Sequence, residues 1–535
     1  MRFVLAAAAA ILAITAFWQF EPRVGRLWLS TAYLAAGACL IALPLGTLAA
    51  LAIVKTNAPG RGLATMLLAA LLGVPLFLIA KAWDAGFGIQ GWQTLLTNPH
   101  IVHLPWLAGW RAAIWVHGLA AVPWVALIVA AGLRAVEAET EEEASLSGSP
   151  ARVLWHITLP RAAPAITVAA LWMAIVTSVE ISVTDFFQVR TFAEEVYTQA
   201  QLGTFDFSAG SQQPTAPSAT GLWIGLLLSI LLAFAALFAA RRWLVDFASV
   251  PLRPKWTWRM GSGRWLAGGM LWFIMLLVVG VPFGNLVYKV GGQATQTEAG
   301  LVHGWSIGQA LYRVQAAPRE FAGDLWLSAK IGAAAASAAL LVGVPLAWSL
   351  RLSRRPAFLR LIGLALCLTI PGPLLGIGMI RFLNRPPESP LAFLAVLYDS
   401  NFAPWLVQTI RAVPLVTLIA WAALASIPQA TLDAAAMDGA GRWGCLLRIA
   451  LPQRWSALFA AWLVGLAIAV GELAATVLVV PPGRSTAITV RLFQLLHYGV
   501  DDRVAAISLV LAAAISALTA AAAAFVRFGF RHPTR

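Results

Sequence analysis

The sequence predicts an all-α polytopic membrane protein of about twelve transmembrane helices in two parallel six-helix repeats. Three observations carry that prediction: a composition too apolar for a water-facing surface, apolar runs of bilayer-crossing length, and an ordered set of matching segments in the two halves. The 535 residues are 60% hydrophobic and 11% charged, with a mean hydropathy of +0.79. A chain of this length folding in water needs far more surface charge, so most of its surface faces lipid.

A net charge of +14 would suggest nucleic acid for a soluble protein. Here Lys and Arg sit in short segments between apolar runs, which is a topological signal, and no nucleic-acid partner is expected. Cys39 and Cys367 fall inside apolar runs and Cys445 in a loop. No pair has ligand spacing, so neither a disulfide framework nor a metal site is implied and the three read as packing residues.

Runs long enough to cross a bilayer lie at 3–18, 27–54, 63–82, 112–133, 164–184 and 220–240, then at 265–287, 326–349, 361–383, 404–427, 455–480 and 503–527. Six stand on each side of the basic segment "RPKWTWRMGSGR" at 253–264. The first run, "MRFVLAAAAAILAITAF", is expected to be a retained helix because no clean small-x-small site follows it; a signal peptide is the alternative. With the N-terminus inside, about 22 Lys and Arg fall on the cytoplasmic side and about 15 on the other, most visibly in the linker and in "RLSRRPAFLR" (351–360). Both chain termini are then cytoplasmic. The 24 tryptophans read as interfacial anchors and lipid-facing packing.

The duplication is read from order. "LWLS" occurs at 27–30 and 325–328, and "VPWVALI" (122–128) matches "VPLVTLI" (413–419). Counting on from those valines sets Glu142 opposite Asp433, Ala144 opposite Ala435 and Gly148 opposite Gly439. Counting back from the prolines sets "HITLP" (156–160) opposite "RIALP" (448–452), so the first copy is one residue shorter between its glycine and its proline. Glu180 and Glu472 stand at the same offset beyond those prolines. An even number of spans per half makes the repeats parallel. The expected organisation is a first half at 1–250 with a loop at 141–160, a linker at 251–264, and a second half at 265–535 with a loop at 432–452.

The second loop, "LDAAAMDGAGRWGCLLRIALP", combines a helix-favouring "AAAM", Asp433 at the positive end of a short helix and two glycines that permit a sharp turn. Pro452 suits the start of the next membrane helix. The result is a short helix along the membrane surface, able to enter a groove on a partner. One such loop would read as an ordinary re-entry loop; two at matched positions favour a docking device.

The stretch "DAAAMDGAGRWGCLLRIALP" resembles the EAA loop of ATP-binding-cassette importer permeases. Ala434, Ala435, Gly439, Ile449, Leu451 and Pro452 match that pattern, and Asp433 replaces its glutamate. In the first copy Glu142, Ala144, Gly148, Ile157, Leu159 and Pro160 match, and Glu143 replaces an alanine. The resemblance implies that each loop is a coupling helix docking on a cytoplasmic ATPase subunit, two copies in all, and that a substrate-binding protein delivers the cargo on the opposite face. Both halves in one chain, with "GELAATVLVVPPGRSTAITVRLFQLLHYG" (471–499), are similar to the fused iron(III)- and thiamine-type permeases, which implies ferric iron or a related small solute and a bacterial inner-membrane location. No phosphate-binding G-x-x-x-x-G-K-[ST] occurs, since "PPGRST" (481–486) lacks its leading glycine and its lysine. ATP hydrolysis is therefore expected on a partner chain, not on this transport subunit, and no cofactor is expected.

Glu180 and Glu472 lie near the ends of the fifth and eleventh runs, where a carboxylate faces protein or water. They are candidates for the substrate pathway; the alternative is that each braces a helix against Ser or Thr neighbours or an Arg. Arg411 is a candidate partner of Glu472, and Asp185 reads as an interfacial charge. His100 and His103 have no accompanying carboxylate or tyrosine cluster and read as loop histidines. The long polar stretches 185–218 and 288–325 are expected on the outer face, with 205–220 flexible. An ion-coupled secondary transporter of the twelve-helix type is the competing reading. Its usual cytoplasmic motif is missing from "KTNAPGRG" (55–62) and "RLSRRPAFLR".

Overall fold

The computed structural model describes residues 22–89, 91–97, 105–202, 257–297, 300–352, 357–480, 486–498 and 501–531, with isolated helical positions between 227 and 235. The expected run at 3–18, nearly all of that at 220–240, His100, His103, the polar stretch 205–220, the first residues of the linker and most of "PPGRST" lie outside the described residues.

Eight described helices are long and apolar enough to cross a bilayer. They are α1 (Pro22–Val54), α4 (Gly109–Ala135), α6 (Pro150–Val179), α9 (Gly263–Gly291), α11 (Ala322–Leu352), α14 (Phe402–Ala425), α16 (Arg442–Gly471) and α19 (Asp501–Arg531). The expected runs at 63–82 and 361–383 are not straight spans. Each is a bent pair: α2 (Arg61–Leu71) with α3 (Leu76–Phe87), turning through 109°, and α12 (Ala357–Thr369) with α13 (Gly372–Leu383), turning through 101°. A proline sits at each break, Pro75 and Pro371, in extended backbone with ψ of 142° and 138°. Proline removes a backbone donor and pushes the preceding residue out of the helical region, so the chain turns there.

The expectation that Pro452 opens a membrane helix also needs correction. Both α6 and α16 begin eight or more residues before their proline and pass through a π-helical turn, Leu154–Thr158 and Cys445–Ala450. A third π turn, Leu276–Gly280, interrupts α9. All three end two residues before a proline (Pro160, Pro282 and Pro452). A proline cannot donate to the carbonyl four residues back; widening the preceding turn lets the span continue where a strict α-helix would break.

The remaining elements are short. At one end of the spans lie α5 (Ala138–Ser147) and α15 (Gln429–Met437), here called the loop end. At the far end lie α7 (Ser182–Phe186), α8 (Phe192–Gln201), α17 (Thr476–Val479), α18 (Ile488–Tyr498), α10 (Ile307–Glu320) and the antiparallel hairpin of β1 (Gly292–Thr297) and β2 (Gly300–Trp305), whose register pairs Gly292 with Trp305.

The repeat is visible in the packing. α1 packs on α4 and α6, and α11 packs on α14 and α16 in the same arrangement. Close approach needs small residues: a Cβ on Gly46 of α1 would lie 2.5 Å from Val125 of α4. The equivalence extends to single hydrogen bonds. The Phe192 N–H donates to Thr31 Oγ1 at 3.1 Å, and the Ile488 N–H donates to Ser328 Oγ at 2.7 Å.

The halves also interlock. α9, the first helix of the second half, packs on α1, α2, α3 and α4 of the first. Its approach is pinned at the loop end, where the Trp258 N–H donates to Lys55 O at 2.8 Å. α19 packs on α2, and Thr519 Oγ1 donates to the carbonyl of Ala70. The largest buried apolar cluster accordingly runs from Leu34 through Val125 and Leu271 to Ile515, across both halves.

Candidate functional site: two matched loops and a central cavity

The two loops share a plan and differ in how they are held. In the first, α5 ends at Ser147, Gly148 is extended (φ −136°), and Ser149 caps the next helix by accepting from the Arg152 N–H at 3.4 Å. In the second, α15 ends at Met437 and Gly439 takes a left-handed conformation (φ +85°), with the Ala440 N–H closing back onto Ala435 O at 2.9 Å. Only glycine adopts that backbone at little cost. Aligned from the prolines, the caps Ser149 and Gly441 coincide. The residue missing from the first loop is therefore lost at this turn, where a left-handed reversal is replaced by an extended link.

Each loop is fixed to its half differently. The first is held by charge: Lys55 Nζ donates to Glu141 Oε2 at 2.5 Å and Thr158 Oγ1 to Glu141 Oε1 at 2.7 Å, with all three residues buried. The second is held by apolar packing, with Leu432, Ala435, Leu446 and Ala450 against Trp348, Ala420 and Leu424. Arg351 there donates to the carbonyls of Leu424 and Ile427, which end α14, the second at 2.8 Å. Glu141 and Lys55 escaped the sequence reading. The signal available was a glutamate at the register where the other copy has the buried Leu432.

Among the sequence candidates, Ala435 is buried, while Ala144, Gly148, Ile157, Leu159, Ile449 and Leu451 are half-buried. Glu142, Pro160, Asp433, Ala434, Gly439 and Pro452 are exposed. Asp433 accepts from Gln429 Nε2 one turn earlier at 2.9 Å. The most exposed apolar side chains of the loops were not among the candidates: Leu146 and Met437 are each 89% exposed and stand at the same register, two residues before Gly148 and Gly439.

Between the halves lies a cavity of about 270 Å³. Its lining includes equivalent pairs from the two repeats: Leu72 with Leu368, Val176 with Ile468, and Glu180 with Glu472. A cavity lined by equivalent residues straddles the axis that relates the halves. The two glutamates therefore face one space, and each also ends its span and caps the short helix that follows. Glu180 accepts from the Ser182 N–H at 2.7 Å, from Ser182 Oγ, and from the Val183 N–H at 3.0 Å. Glu472 accepts from the Ala475 and Thr476 N–H groups, both at 2.9 Å, and from Thr476 Oγ1. Three of roughly four acceptor sites on each carboxylate are thus taken. Helix capping and a place in the cavity wall coexist in the same side chains.

The basic side chains near them differ. His117 Nε2 lies 3.5 Å from Glu180 Oε2, and Arg411, which lines the cavity beside Glu472, donates to Cys367 O at 3.1 Å. Asp185 sits in α7, beyond the end of the α6 span. Toward the far end, Tyr197 of α8 and Phe493 of α18 meet edge-on with ring centroids 6.2 Å apart. Each lies five residues past the anchored N–H of Phe192 or Ile488, so they are equivalent, and equivalent side chains that touch lie on the axis. Burial, helped by Asp185, pushes the Tyr197 hydroxyl up to about 12, so it stays protonated.

Among the described residues, no group of three or more His, Cys, Asp or Glu is placed to hold a metal ion. Residues 42–248 match the family model described as "Binding-protein-dependent transport system inner membrane component". No curated protein matches the chain. Over those residues this multi-pass membrane protein is similar to the inner-membrane components of binding-protein-dependent transport systems.

Proposed function

We propose that the whole chain is the permease of an ATP-driven importer, with both halves in one polypeptide and α5 and α15 as its coupling helices. Two copies of a cytoplasmic ATPase take Leu146 and Met437 into their grooves. A substrate-binding protein presents the cargo at the far end, and the two halves alternate between facing outward and inward. The cargo passes through the central cavity, where Glu180 and Glu472 set the local charge. The similarity at 471–499 favours ferric iron or a related small solute. The loop end is cytoplasmic, as the excess of Lys and Arg favours, and both termini lie on that side.

The observation that carries this reading is the pair Leu146 and Met437: two apolar side chains at one register, each 89% exposed beside the turn of its loop. Exposed apolar side chains held on rigid elements mark docking surfaces. The test is co-purification with candidate ATPases from neighbouring genes. Leu146→Glu and Met437→Glu are each expected to weaken the complex by about tenfold or more, about 1.4 kcal/mol, and to abolish ATP-dependent uptake together while leaving thermal stability unchanged. Full complex formation and uptake in the double variant would sink the proposal.

A further inference from the structure

We propose that α10 is a membrane-surface anchor whose N-terminal half lies among lipid headgroups and upper acyl chains of the leaflet at the far end. The inference needs only the membrane-spanning fold, not the importer reading. α10 connects the hairpin to α11 and presents two different faces. Ala310 and Ala317 turn toward the protein and are buried. Away from them Ile307 and Leu311 are 65% and 56% exposed, at the i, i+4 spacing of one helical stripe, and Tyr312 stands between that stripe and the charged cavity described below. Further along the helix the outward residues become Gln315 and Arg319. The helix is thus apolar outward at its start and polar outward at its end.

Three observations identify the occupant as lipid. The apolar stripe continues onto the surface of α11, where Trp326, Ser337 and Leu341 are exposed along a helix long enough to span the bilayer. The residues flanking the stripe are those of a membrane–water boundary: Trp305 at the end of β2, and Trp326 with Lys330 Nζ 5.6 Å from its ring centre. On the protein side, a cavity of about 660 Å³ is lined by Lys289, Arg313 and Arg503 against Glu320 and Asp502. Basic and acidic side chains thus meet beside the headgroup level, where the ionic groups of lipid lie.

The same contacts explain why an anchor belongs here. Arg313 donates to the carbonyls of Val290 and Gly292, at the end of α9, at 2.7 and 2.9 Å, and pairs with Asp502 of α19 at 3.0 Å. Glu320 pairs with Arg503 at 3.0 Å. α10 therefore ties together the far ends of the two second-half helices, α9 and α19, that pack on the first half. An anchored α10 fixes them at one depth.

The test places a bimane label at Ile307→Cys, Leu311→Cys or Arg319→Cys in the full chain in lipid nanodiscs, with the labelled unmodified chain as background. Phosphatidylcholine brominated near the headgroup is expected to quench the labels at 307 and 311 by about twofold or more relative to unbrominated lipid. Aqueous iodide is expected to quench the label at 319 several times more strongly than either. Equal iodide quenching at all three positions without an effect of brominated lipid would overturn the anchor. So would shielding of position 311 that appears only when a substrate-binding protein is added, which would make the stripe a protein-docking surface.

Discussion

The two matched loops have the same outline and opposite supports. The first hangs on a buried ion pair, Lys55 with Glu141, reinforced by Thr158. The second rests on an apolar cluster around Leu432 and Leu446. A buried ion pair contributes little net stability when intact, because desolvation offsets attraction, but removing one partner strands a charge in a dry site. An apolar contact loses stability in proportion to what is removed. Duplicated segments can therefore keep one shape while tolerating change very differently.

The sharpest way to break this comparison is Lys55→Ala, which leaves Glu141 buried and unpaired. A loss of about 3–5 kcal/mol is expected, read as a lower unfolding midpoint in detergent or nanodiscs. The paired change Lys55→Met with Glu141→Leu is expected to recover most of it. A double variant as unstable as the single one would refute the ion-pair account. Leu432→Ala, at the equivalent register, is expected to cost less, about 2–3 kcal/mol, with no partner change able to restore it.

Gly439→Val tests the turn. A valine Cβ there meets nothing within 4 Å, so the expected cost of about 1–2 kcal/mol comes from the left-handed backbone alone. Gly148→Val, in extended backbone, is expected to cost under about 1 kcal/mol. Equal effects at the two glycines would show that the loops turn alike.

The smallest expected effects are at Glu142 and Asp433, both exposed. Alanine at either position is expected to change stability by less than about 0.5 kcal/mol. Any larger change in ATP-dependent uptake would then be assigned to contact with a partner.

Much of this arrangement is legible in the sequence. Hydropathy locates the eight straight spans because side-chain transfer energy decides what crosses a bilayer. The repeat also leads to the equivalent loops and to Glu180 and Glu472. The bends at Pro75 and Pro371 are hidden because both prolines stand inside apolar runs, and hydropathy does not register a missing backbone donor. Glu141 is hidden for another reason. It is one of three consecutive glutamates, about 100° apart around a helix, and which of them is buried depends on Lys55, 86 residues earlier. The π turns escaped notice because a proline reads as a helix start unless the preceding turn can widen.

The crossing of α9 has a consequence for how such a chain can be divided. In the gene, the seam between repeats falls near residue 255; in the folded molecule it falls after α9, near residue 291. Two polypeptides cut at the genetic seam would each lack a wall: the first would expose the flank of α1 to α4 that α9 covers, and the second would carry α9 with nothing to lean on. The crossing helix is thus a clasp, and the pieces of a chain split near residue 255 are expected to be stable only when made together.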